Sequence, residues 1–171
     1  MSTMPGGERS TIPFRTVNRK GTRQYDPALQ RHHLLPCQLL ALRCFSPLLD
    51  AVGRERIGFD DFRSNGLLLP AREEAVRRLV LPLHRGPHRH YNSMVIDRVG
   101  RIERMWSRER LTRGARAHEE ARFRLSLLQR GLRRRLLDNR EPLRLNRMDP
   151  LGSGTDFSSL DALAEQLWQA A

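Results

Sequence analysis

Two histidine clusters, far apart along the chain, constrain this sequence more than any other feature. His32-His33 stands alone, Asn65-Gly66 follows, and then comes His84-Arg-Gly-Pro-His88, so that five of the six histidines fall in two short stretches. A metal site built from two chain segments needs this spacing, and the fold must then bring those segments together. Neighbouring residues on an extended segment point in different directions, so one histidine of the pair can hold a metal while the other accepts a proton. Metal-assisted phosphodiester hydrolysis requires that division of labour.

The chain has 171 residues, enough for one domain with a terminal appendage, and 39% hydrophobic content supports a modest core. Its net charge of +12 and pI near 11.4 point to a polyanionic partner, with nucleic acid ahead of an anionic membrane. Lys20 is the only lysine. Arginine suits bidentate phosphate binding, although a GC-rich genome gives the same bias. Cys37 and Cys44 form no CxxC pair, which argues against a zinc ribbon or a disulfide framework and leaves them as reduced core residues. The first 22 residues lack an apolar signal core and no run has transmembrane length, so a soluble cytoplasmic chain is expected.

Charge divides the chain further. Residues 98–147 carry 16 basic and 6 acidic side chains, whereas residues 148–171 carry four acids and no base. The reading is therefore a disordered N-terminus over 1–24, a core over 25–106, an arginine-rich helical extension over 107–147 and an acidic C-terminal helix over 148–171.

Pro36 disfavours helix just before it, so His32 and His33 are expected at the end of a strand. Apolar spacing at Leu39, Leu40, Cys44 and Leu48 predicts a helix over 37–52 that stops at Gly53. A second strand is expected from Gly66 to Leu69, with Asn65-Gly66 as its entering turn, followed by a helix from Ala71 to Leu81. A further helix starts near Gly86-Pro87, with Tyr91, Val95, Val99, Ile102 and Trp106 as its apolar stripe and His88 on the same inward face. Leu125, Leu128, Leu132 and Leu136 form another stripe, with Gly114 and Gly131 as candidate breaks. Arg133, Arg134 and Arg135 head a candidate phosphate-tracking surface. His90 and His118 read as exposed.

The order His32-His33-Leu-Leu-Pro36, Asn65-Gly66-Leu-Leu-Leu-Pro70, His84-x-Gly-x-His88-x-x-Tyr91-Asn92 resembles the AHH branch of the HNH/endonuclease VII nuclease superfamily, over about residues 27–97. Arg31 stands where the branch has its namesake alanine, and an arginine there would add a phosphate contact. The resemblance implies an α+β, mostly helical protein: a ββα-metal core, made of a split hairpin and a helix, with added C-terminal basic helices. It implies that His32, His84 and His88 hold one divalent ion (Mg, Mn, Zn or Ni), leaving open whether His84 binds directly. His33 would be the general base, and Asn65 would brace the hairpin loop and help orient it.

The activity so implied is metal-dependent endonuclease cleavage, of DNA rather than RNA and with low sequence specificity. A relationship to toxin modules would add an inhibitor or immunity protein as partner. The alternative is a non-catalytic basic nucleic-acid-binding protein whose histidines are structural or hold zinc. The second adjacent histidine favours the enzyme, because a binding module has no use for it.

Overall fold

The computed structural model describes residues 10–86, 88–140 and 143–145. The fold is mixed α+β and mostly helical. Strand β1 (Leu29–His33) pairs antiparallel with β2 (Gly66–Pro70), in a register that sets His32 opposite Leu67 and His33 opposite Gly66. This is the split hairpin expected, with residues 34–65 inserted between its strands.

The insertion is not one helix. It comprises α1 (Gln38–Ala41), a 3-10 turn over Arg43–Phe45 and α2 (Ser46–Val52), separated by Leu42 in an extended conformation. A helix running through 37–52 would carry Pro47 in its interior and lose a hydrogen bond; the break places Pro47 in the first turn of α2, where no donor is needed. Gly53, at φ 87°, ends α2 as expected. Cys37 and Cys44 are free and exposed, not core residues, because the breaks turn them outward and leave Leu39, Phe45, Leu48, Leu49 and Val52 as the buried positions.

Asn65-Gly66 is not a hairpin turn either. Asn65 ends a short helix, α3 (Phe62–Asn65), whose first turn is capped by the Asp61 carboxylate accepting from Arg63 N. Gly66 is extended, and its requirement is space: a Cβ there would lie 2.2 Å from the Phe62 ring. Helix α4 (Glu73–Leu79) is shorter at both ends than the 71–81 span predicted.

Helix α5 (Arg89–Leu136) is a helical hairpin. Its backbone breaks at Gly114, at φ 31° and ψ −106°, a conformation glycine tolerates best. Along a straight helix Met105 and Arg124 would be roughly 28 Å apart, yet the Arg124 guanidinium lies 3.5 Å from the Met105 sulfur. Both predicted stripes are buried and join one core with α1, α2 and the sheet. Trp106, placed at the end of the core unit in the sequence reading, lies inside α5, so the 106/107 boundary falls within a continuous element. Gly131 lies within the helix and breaks nothing.

The N-terminal stretch departs from the expectation of disorder. From residue 10 onward it makes a bridge between Pro13 and Asp61, a 3-10 turn over Phe14–Thr16 and side-chain bonds from Asn18 to the carbonyls of Asp26 and Leu29. The acidic helix expected over 148–171 lies outside the described residues. Among the described residues no helix is long and apolar enough to cross a membrane.

Candidate metal centre

Strand alternation separates the two adjacent histidines. His32 is 3% exposed and faces α5, with its ring 4.9 Å from that of Tyr91, whereas His33 is half-buried on the other side. The Tyr91 hydroxyl donates to Leu34 O at 2.8 Å and so ties the helix to the chain just after the histidine pair.

The second cluster converges on His32. His84 lies in the extended loop before α5, held by its backbone N–H to Pro70 O at 2.6 Å. His88 is the N-cap residue of α5, one position before the helix begins. The rings of His84 and His88 lie 5.0 and 5.7 Å from that of His32, and 4.4 Å from each other. One ring nitrogen from each of the three falls within 4.8 Å of the others, and this is the His-rich cluster able to hold an ion among the described residues.

Three observations fit this cluster to a divalent metal. Buried nitrogens normally find partners, yet His32 Nε2 and His88 Nδ1 are buried with no hydrogen-bond partner. All three rings are shifted toward the neutral form. Burial pushes His32 well below the usual histidine range, with His84, His88 and His33 adding to the effect, and His84 down to about 4, with His88 and His33 adding to it; burial also lowers His88. A neutral imidazole is the form that ligates. Gln30, two residues before His32 and on the same strand face, places its side-chain oxygen 3.2 Å from His84 Nδ1. If that nitrogen donates, Nε2 is the one left for a ligand, an arrangement typical of metal-bound histidine.

His33 stands outside the cluster. Phe14 stacks on it with centroids 3.8 Å apart and planes within 3°. Burial lowers its proton affinity, which the Asp60 carboxylate partly restores and Arg31 and Arg54 further reduce. Arg54 and Asp60 form a bidentate pair at 2.7 Å. Phe14 is itself held from three sides: Arg31 donates to its carbonyl at 2.7 Å, Phe62 meets its ring edge-on at 5.2 Å, and Ile12 bonds to Asp61 and Phe62.

Asn65 is completely buried. Its Oδ1 accepts from Leu35 N at 2.7 Å, and its Nδ2 donates to Leu35 O and Phe59 O. Its backbone carbonyl accepts from Leu34 N at 2.8 Å. It therefore fixes the chain leaving β1, and its hydrogen bonds go to residues other than His33.

Of the four arginines expected to meet nucleic acid, two are engaged elsewhere. Arg31 holds Phe14, and Arg133 donates to Arg63 O at 2.6 Å. Arg134 is exposed and Arg135 half-buried. Phe14 and Gln30 are the residues sequence reasoning missed. Gln30 had a usable signal in its i−2 position on the metal face of β1, and Phe14 closes the only apolar triplet, Ile12-Pro13-Phe14, in an otherwise polar start.

Over residues 13–132 the chain matches the family model described as AHH, a nuclease family of the HNH/ENDO VII superfamily with conserved AHH. The match runs from the Phe14 segment into the second arm of α5. No curated protein and no solved structure matches.

Proposed function

The chain belongs to the AHH nuclease family, and from that premise we propose that it is a metal-dependent endonuclease that uses His33 as general base. The observation that carries this reading is the asymmetry of the histidine pair. His32 is buried among two other neutral imidazoles, while its neighbour is excluded from them and held by an aromatic ring.

His32, His84 and His88 would hold the ion, which would supply Lewis-acid stabilisation of charge on the phosphoryl and leaving oxygens. An all-imidazole set suits Zn and Ni better than Mg, which prefers oxygen ligands. Gln30 keeps the His84 ring in one orientation.

Burial lowers the proton affinity of His33 and so favours the neutral ring, the form that can take a proton from an attacking water. Stacking on Phe14 covers one face of the ring, so the water would have to be met at the ring edge, where the nitrogens lie. Arg31 acts here through Phe14 and not on phosphate. Asn65 fixes residues 34 and 35 and thereby the end of the strand on which both histidines sit. DNA is the proposed substrate, since the described residues of this basic chain offer no row of exposed aromatics of the kind that stacks single-stranded bases.

Incubating the protein with supercoiled plasmid, linear duplex and RNA, with chelator and with each of Mg, Mn, Zn and Ni, tests the proposal. Nicking that depends on an added ion is the expected result. A protein that binds these substrates but cleaves none with any ion would be the basic binding module instead.

A further inference from the structure

The run Arg133-Arg134-Arg135 is adjacent in sequence but not in space, since successive residues turn about 100° round a helix. Arg122, Ser126, Arg130 and Arg133 instead fall within an arc of about 80°. They form one wall of a half-open groove of about 420 Å³, with Arg56, in the loop after α2, and Arg63, in α3, also lining it. The groove lies behind the segment that serves the base: its floor includes Asp61, whose neighbours Asp60 and Phe62 act on His33 and on Phe14 respectively.

Two acids also line it. Asp61 is consumed by Ile12 N, Ser64 Oγ and Arg63 N, which leaves Glu55 as the one acid of the lining without such bonds. Arg56 and Arg122 share Glu119, and Arg133 is tied to Arg63 O, so the wall is preorganised. Arg63 and Arg130 are exposed residues, the latter with its Nε donating to Ser126 O at 3.4 Å. Five arginines against the two lining acids and Glu119 leave a positive excess around a groove of this size, which makes a seat for a chain of phosphates.

We infer that this groove seats the phosphodiester backbone of a duplex beside the cleaved bond. This rests on the nuclease reading for its substrate class but adds a site with its own readout. The histidines carry the chemistry, and the groove carries affinity that does not depend on sequence.

Binding of a fluorescent duplex to the full chain, measured by anisotropy against salt with chelator present, separates the two. Arg63→Gln combined with Arg130→Gln should lower the slope of log affinity against log salt by about 1.8 if each arginine neutralises one phosphate. Arg63→Lys with Arg130→Lys should keep most of it. Arg116→Gln with Arg134→Gln removes the same charge from exposed positions outside the groove and should change the slope much less. Equal changes in the two glutamine pairs, or none in the groove pair, would overturn the assignment. Because no ion is present, a wild type that binds in this manner but never cleaves sinks only the catalytic proposal, and a cleaving wild type with an unmoved slope sinks only the groove.

Discussion

The two faces of β1 present its adjacent histidines to different surroundings. On one face Gln30 and His32 look toward α5 and meet His84, His88 and Tyr91; on the other Arg31 and His33 look toward the N-terminal segment and meet Phe14. The first face is crowded with nitrogens around the buried His32. The second is half-open and bounded by one ring. A two-residue alternation is enough to keep the proposed base out of the three-histidine cluster, because adjacent side chains on a strand cannot share a ligand geometry.

The largest expected effect comes from breaking one face at a time. His32→Ala should abolish ion binding and cleavage together. His33→Ala should keep the ion, the fold and duplex affinity while cleavage falls roughly 10²- to 10⁴-fold. Calorimetric metal titration and plasmid nicking on both variants check this, and equal metal loss in the two would erase the distinction between the faces.

Asn65→Ala strikes both faces through the backbone they share. It removes the partners of Leu35 N, Leu35 O and Phe59 O in a fully buried place, which should cost about 2–4 kcal/mol. Urea unfolding measures it. A loss under about 0.5 kcal/mol, the scale of an ordinary surface substitution, would mean that water replaces the amide.

The metal face should also set the stability of the ion-free protein against pH. His32, His84 and His88 bind protons less readily folded than unfolded, so as pH falls below about 6.5 the unfolded chain gains protons that the native one refuses. Stability contributed by these rings is present above pH 6.5 and is lost as pH falls toward 4. His33 adds to the loss with the same sign. The melting temperature of chelator-treated protein should drop between pH 7 and 5, and a flat profile would show that the rings are not buried as neutral groups.

Much of the metal face was legible in the sequence, because local rules govern it. Proline bounded the strands, and three-to-four spacing placed His88 and Tyr91 at one end of a buried stripe. The base face was not legible. Its contacts join residue 14 to residue 33 and residue 31 back to residue 14, and no local period encodes such pairs. Arg31 illustrates the error: read alone it is a phosphate ligand, and only the fold shows that it holds a carbonyl. The helix predicted over 37–52 failed for the opposite reason, since a helical period survived in the apolar residues although Pro47 restarts the helix. The arginine run misled because proximity along a helix is not proximity in space.

The smallest effect, and the sharpest test of the second face, belongs to Phe14. The ring limits how His33 can tilt but makes no bond to any reacting atom, so its loss should misplace the base without removing it. Phe14→Ala should lower kcat by up to about tenfold, well below the full penalty that gross misplacement can exact. KM and metal affinity should be unchanged, because neither the groove nor the three-histidine cluster touches the ring. Phe14→Trp restores a flat stacking surface and should recover most of the rate, whereas Phe14→Leu, apolar but not planar, should not. A purely structural Phe14 would predict the reverse ranking by stability alone, with rate following the fraction folded, so single-turnover cleavage below the melting transition of every variant separates the two. If the leucine variant cleaves at the wild-type rate, stacking plays no part in holding the base, and the second face reduces to His33 by itself.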